Sequence, residues 1–184
     1  LWYQGCTDTD TLEMATAYPA AFEKVVSSTR KELNVPDLPW FTVQLNRQMS
    51  TDWLKPDHDE FWGMVREAQR KAAQTIPGVY VIPSTDCTLS DNIHNKAAAN
   101  MLLGQRMARQ VLSALYGIPR ACPVPDIYMA EKVNGGKELV LYFTNIEEMI
   151  VTRNGPADKI FRVEDEKGIV PVIKVSAENK NRIT

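Results

Sequence analysis

Net charge is almost absent from this sequence: 21 lysines and arginines stand against 23 acidic residues, leaving −2 over 184 residues. A surface so balanced gives no electrostatic drive toward nucleic acid, and no Lys/Arg cluster supplies one locally, so no nucleic-acid partner is expected. Long apolar runs are missing too. None approaches the ~20 residues that span a bilayer, and no leader pattern opens the chain, so no membrane partner is expected either. Cysteine is scarce: Cys6, Cys87 and Cys122 are too few and too scattered for a disulfide framework or a zinc site. Their odd number leaves at least one free or paired outside the chain. Internal repeats and low-complexity tracts are lacking, which excludes a solenoid or a linker-like polypeptide.

What is present is ordinary globular material, 44% hydrophobic and 24% charged, which argues against a disordered chain. At about 150 residues per domain the length suits one full domain or slightly more. Both ends read as interrupted. The opening Leu1-Trp2-Tyr3-Gln4-Gly5 reads as a buried strand already under way, and Asn181-Arg182-Ile183-Thr184 stops as a strand would begin. The expectation is a piece of a longer protein or a processed subunit, with a natural domain with tight ends as the alternative.

Two halves follow different rules. Up to about Gly117, short apolar runs alternate with helical periodicity. Leu12, Ala15, Tyr18, Phe22, Val25, Val26 and Leu33 recur at three- and four-residue steps and predict one helix face, which Pro19 should kink or open. Trp40–Leu45 and Val79–Ile82 are short, β-branched and aromatic, and predict strands. Between them Phe61, Val65, Ala68, Ala72 and Ile76 stripe a second helix. Met101, Gly104, Ala108, Leu112 and Leu115 stripe a third, with Gly117 suited to its left-handed C-cap. Gly104 costs about 1 kcal/mol against Ala inside a helix, and close approach to a sheet is the expected compensation. Strand–helix alternation of this kind predicts an α/β fold with a parallel sheet over residues 1–118. From Pro119 onward a Pro-rich linker leads to short strands over Glu138–Phe143, Lys159–Val163 and Ile169–Val175, which predicts a small, incomplete all-β domain over residues 119–184.

In open parallel sheets, ligands bind beyond the carboxyl ends of the strands. Two such ends carry unusual polar residues: Gln4-Gly5-Cys6-Thr7-Asp8, and Ser84-Thr85-Asp86 followed by Asp91-Asn92-Ile93-His94. An Asp-x-x-His loop can fold the Asp91 carboxylate onto His94 Nδ1, fixing the tautomer and leaving Nε2 as a general base for a hydroxyl nucleophile. The competing reading is a histidine at a helix start, bonded to a local aspartate. Gln4 and Gly5 can present a side-chain amide and a freed backbone N–H to a developing oxyanion. An ordinary strand-end glycine beside a solvated glutamine explains them equally. Asp57-His58-Asp59-Glu60 reads as a solvated loop before the second helix rather than a metal site. Trp2, Trp40 and Phe61 read as core, while Trp53 and Trp62 are either packing residues or the border of a sugar site.

Four blocks in order carry a resemblance. Trp2-Tyr3-Gln4-Gly5, Arg66-Glu67-Ala68-Gln69, Asp91-Asn92-Ile93-His94, and Gly104-Gln105-Arg106-Met107-Ala108 with Tyr116-Gly117 resemble elements of the sialate O-acetylesterase family. These are SGNH-type carbohydrate esterases akin to acetylxylan esterases. The resemblance implies a partial flavodoxin-like, three-layer parallel sheet followed by an accessory β domain, with His94 as general base and acid, Asp91 as its orienting carboxylate, and Gln4 and Gly5 as oxyanion-hole candidates. It implies no metal and no organic cofactor, an O-acetylated carbohydrate as substrate, and an extracytoplasmic (periplasmic or secreted) setting. The sequence departs from the family at Cys6, where a glutamate is usual, and in lacking the family's upstream Gly-Gln-Ser-Asn nucleophile block. Ser84, Ser90 and Ser113 do not sit in a strand–tight-turn–helix context. The chain is therefore expected to hold the Asp/His half of a serine esterase, its partner being the missing N-terminal half or a second copy covering the exposed sheet edge. A non-catalytic glycan-binding remnant and an acetylxylan esterase are the alternatives.

Overall fold

A computed structural model describes residues 1–49, 58–118, 124–146, 150, 161–177 and 182–184. The chain divides into two compact units, Leu1–Ala121 and Cys122–Thr184. Its elements make it a mixed α/β protein. No helix among the described residues is long and apolar enough to cross a membrane.

The first unit is built on two parallel strands, β1 (Trp40–Val43) and β2 (Val79–Ile82), paired in register from Trp40 opposite Val79 to Val43 opposite Ile82. Every residue of β1 is buried, as expected of a strand covered on both faces. Its pleat alternates between two cores. Trp40 faces α1 (Leu12–Glu32) and α2 (His58–Thr75), joining Tyr18, Phe22, Val26, Trp62 and Val65. Phe41 and Val43 face α3 (Ala97–Tyr116), joining Ile82, Cys87, Ala99 and Leu103. Each such side chain contributes about 1.5–3 kcal/mol when fully buried.

Several expectations need correction. The opening segment is not a full strand, and of its five residues only Gly5 is buried. Only Trp2 bridges to Thr42, donating its N–H to Phe41 and accepting from Val43, while Leu1 is 81% exposed and Gln4 is exposed. It is paired on its β1 side, and the isolated bridge is the only sheet pairing it makes among the described residues.

Helix α1 neither opens at Pro19 nor starts there. Thr11 caps it by accepting from the Met14 N–H, and the helix continues through Pro19. Pro19 lies on the exposed side, so only a backbone bond is lost, while burial of Tyr18 and Phe22 holds the turns around it. Leu12 and Leu33, expected on its inner face, are exposed.

The stripe assigned to α3 is on the wrong side. Met101 is 72% exposed and Leu112 and Leu115 are exposed, whereas Ala99 and Leu103 are buried and Met107, Val111 and Ala114 pack beside them. Both faces of this helix are apolar, so periodicity alone could not choose between them. Gly104 does not approach the sheet either. Open space surrounds it at the rim of a hollow of about 300 Å³ lined by Leu1, Trp2, Tyr3, Val43, Asn100, Leu103 and Met107. Gly117 does close α3 in the left-handed conformation, its N–H bonding back to Ser113.

In the second unit, β3 (Asp126–Val133) pairs antiparallel with β4 (Glu138–Thr144), and β4 pairs antiparallel with β7 (Arg182–Ile183). A separate hairpin joins β5 (Val163–Asp165) to β6 (Gly168–Val170). Strand β3 went unread because most of its side chains are exposed, so no buried face imposes an apolar alternation on its sequence. The strand expected over Ile169–Val175 ends at Val170, and the Lys159–Ile160 part of another lies outside the described residues.

Candidate active site

The loops after β1, after β2 and after the bridged Trp2 segment all leave from the carboxyl end of the parallel strands. Asp91 and His94 sit in the loop between β2 and α3. Asp91 Oδ1 accepts the backbone N–H groups of Ile93 (2.9 Å) and His94 (2.8 Å), folding the chain into a tight Asx turn. That turn brings Asp91 Oδ2 to 2.8 Å from His94 Nδ1. The ring's other nitrogen, Nε2, has no protein partner among the described residues, and the side chain is 72% exposed. The aspartate thus does what the short spacing permits: one oxygen shapes the backbone and the other orients the ring.

These bonds hold the Asp91 carboxyl down to a pKa of about 2, against an ordinary 3.8. The Ile93 N–H is the largest cause, followed by the His94 N–H and then the His94 side chain. A depressed carboxyl supports its loop above its unfolded pKa and loses that support as pH falls through the folded value. The turn should therefore persist at pH 4 and open only between about 3.8 and 2. Carboxyl carbon NMR should give Asp91 a midpoint near 2, with the Ile93 and His94 amides shifting in step; a midpoint near 4 would contradict the geometry.

Gln4 and Gly5 are placed differently from one another. The Gln4 side-chain amide donates to Asp8 (2.5 Å), so it is engaged locally. The Gln4 carbonyl accepts from Gln69 Nε2 (2.9 Å) and the Tyr18 hydroxyl (3.3 Å). Gly5 is buried with φ +139°, and an added Cβ would lie 3.1 Å from both Gln69 Nε2 and Val65 Cγ1. Glycine is needed there for both backbone and space. Its N–H makes no bond among the described residues.

No described serine hydroxyl is bonded to the His94 ring. Ser84 is fully buried and donates to the Gln44 carbonyl (2.6 Å), and Ser90 donates to the backbone carbonyl of His94 (3.1 Å). Ser113 is inside α3. Cys6 is free and exposed, and partial burial of its thiol pushes its pKa up, favouring the protonated form. Of the acidic cluster before α2, His58 to Glu60 form the first turn of that helix rather than a loop, and Asp57 lies outside the described residues, as does Trp53. Trp62 is core: it is 4% exposed and its indole N–H is bonded to the Asn46 carbonyl.

Sequence reading missed the residues that hold the site in place. Arg47 donates to the carbonyls of Thr85 (2.7 Å) and Cys87 (2.9 Å), and Arg66 to the Thr85 hydroxyl (3.0 Å). Arg106 donates to the Pro83 carbonyl and forks onto Asp86. Three guanidiniums thus pin the loop that leads into the Asp91–His94 turn. Asn46, three residues beyond β1, reaches Asn95, and Asn95 reaches Tyr3. The one available signal was position, since Asn46 and Arg47 follow closely after the buried strand β1.

Two parallel strands with helices on both faces, and a carboxylate–imidazole pair beyond their carboxyl ends, make this an α/β unit with a candidate site in its loops. The family model described as carbohydrate esterase, sialic acid-specific acetylesterase, matches residues 1–113, more than half of the sequence, and the chain belongs to that family. Among solved structures, a carbohydrate acetylesterase from Xanthomonas citri is similar over 99% of this chain and 40% of its own, at TM-score 0.79 and 23% identity. A protein from Arabidopsis thaliana is similar over 61% of this chain and 43% of its own, at TM-score 0.52 and 27% identity. The chain thus spans less than half the length of either. No match was found among curated proteins.

Proposed function

We propose that this chain supplies the imidazole–carboxylate half of a serine-dependent carbohydrate O-acetylesterase acting first on O-acetylated sialic acid and second on acetylxylan. The observation that carries the reading is the 2.8 Å contact from Asp91 Oδ2 to His94 Nδ1, with Nε2 left open, in a chain of this esterase family. The nucleophilic serine lies on residues outside the 184, within the N-terminal half that the relatives' greater length leaves room for, or on a separate polypeptide of a processed enzyme. That half also completes a flavodoxin-like sheet beside Trp2. Extracytoplasmic action, periplasmic or secreted, belongs to the same reading.

In the first step His94 Nε2 takes the serine proton as the oxygen attacks the acetyl carbonyl, and Asp91 stabilises the resulting imidazolium. The Gly5 N–H faces the oxyanion, joined by the Gln4 amide once it leaves Asp8. Collapse of the tetrahedral intermediate breaks the bond between the acetyl carbon and the sugar oxygen, and the imidazolium returns its proton to that departing oxygen, freeing the sugar hydroxyl. Water, activated by the same nitrogen, then attacks the acyl-serine and releases acetate. Sialic acid O-acetyl ester and acetylxylan should be offered both to the 184-residue chain and to the protein including the residues that precede it. Acetate release is expected only from the longer protein, the chain alone matching its own His94→Ala variant. Turnover by the chain alone, abolished by a single Ser→Ala change within it, would overturn the assignment. No turnover by the longer protein despite sugar binding would favour a glycan-binding remnant.

A further inference from the structure

The Asp91–His94 pair is well tied within its own turn, yet its imidazole makes no other hydrogen bond or ion pair among the described residues. A general base must be held at a set distance from the groups that stabilise the oxyanion, so something must hold this loop against the Gln4–Gly5 segment. Most bonds of the loop are internal: Ser90 to the His94 carbonyl, and Lys96 N–H to Thr88. Between Thr88 and Lys96, Ile93 packs against the first core, and two residues hydrogen-bond to other segments among the described residues. Asn92 accepts the Met49 N–H (2.8 Å), and Asn95, adjacent to His94, uses both ends of its side-chain amide.

Asn95 Oδ1 accepts from Asn46 Nδ2 at 2.6 Å, and Asn95 Nδ2 donates to the Tyr3 hydroxyl at 2.9 Å. Asn46 is a rigid anchor. It is 1% exposed, its Nδ2 also reaches the Cys87 carbonyl, its Oδ1 accepts the Arg47 N–H, and its carbonyl takes the Trp62 indole N–H. Tyr3 directly precedes Gln4 and Gly5. A single amide therefore bridges the residue after the imidazole, the segment just beyond β1, and the residue before the oxyanion segment.

We infer that Asn95, held between Asn46 and Tyr3, is a positioning residue that sets the spacing between the His94 imidazole and the Gln4–Gly5 donors. This rests on the esterase reading above and goes beyond it by naming what registers the two halves of the site. Neither Asn95 nor Tyr3 touches the reacting atoms. Their removal should slow the chemical step rather than weaken sugar binding.

The test uses the acetylesterase activity of the protein that includes the preceding residues. Asn95→Leu, which keeps the size and removes both bonds, is expected to lower kcat about 10- to 100-fold with KM within about twofold. Tyr3→Phe removes one hydroxyl from a half-exposed ring and should lower kcat in the same sense but less. The two changes should not add, because they break one bond: the double variant should match Asn95→Leu. Should Asn95→Leu fail to fold, Tyr3→Phe decides by itself, with thermal unfolding recorded alongside. Unchanged kcat in Tyr3→Phe and in folded Asn95→Leu, with His94→Ala inactive, would overturn the positioning role and leave the esterase reading standing. Full activity in His94→Ala would take down both.

Discussion

His94→Ala in the complete esterase should lower kcat by about 10⁴-fold or more while leaving KM nearly unchanged. The imidazole is the one described group that can both accept the nucleophile's proton and return it to the leaving sugar, and it is 72% exposed, so its loss removes little packing. Thermal unfolding should therefore stay close to that of the parent. Asp91→Asn should cost nearly as much in kcat by a different route. An amide can keep an oxygen toward the Ile93 and His94 N–H groups, but it then offers an NH2 where Nδ1 now meets a carboxylate oxygen at 2.8 Å. The ring would be driven to the opposite tautomer, with its proton on Nε2, where no serine can be activated. Steady-state acetate release across a substrate series checks both variants. An Asp91→Asn enzyme within tenfold of the parent would mean that the carboxylate only shapes the turn.

Gln69→Leu should be the most destabilising of the conservative changes in the first unit. Gln69 is fully buried, and its side chain accepts the Leu45 N–H (2.7 Å) and donates to the Gln4 carbonyl (2.9 Å) and the Tyr18 hydroxyl (3.0 Å). Leucine fills the volume but leaves the Leu45 N–H without a partner and strips one of the two bonds to Gln4. The one fully orphaned buried group costs about 1–3 kcal/mol, so a loss of about 2–3 kcal/mol is expected, or a fall in Tm of roughly 5–10 °C. Calorimetry of the 184-residue chain measures it directly. A loss below about 1 kcal/mol would show that water reaches these groups. The effect should extend to the site, because Gln69 Nε2 also packs where a Cβ on Gly5 would stand.

Gln69 also shows how far the sequence could be read. It was visible only as the last residue of a four-residue block resembling a family element, with no reason for being glutamine. The reason is tertiary: one amide joins the segment just beyond β1, the Gln4–Gly5 segment and α1, which are separated widely along the chain. The same holds for Asn46, Asn95 and Tyr3, whose bonds run between positions 3, 46 and 95. Polar residues with such distant partners leave no local pattern.

Local physics, by contrast, was open to sequence reading. Apolar spacing revealed α1 and α2, β-branched and aromatic runs revealed β1 and β2, Gly117 marked the end of α3, and a three-residue spacing brought Asp91 to His94. Each depends on groups within a few turns of chain, where covalent geometry leaves few alternatives. Burial was not decided there. The inner face of α3, the helix running through Pro19, the exposure of Leu1 and the open space at Gly104 all depend on what packs alongside. An apolar surface becomes core only when another element covers it, and which element does so is a property of the fold.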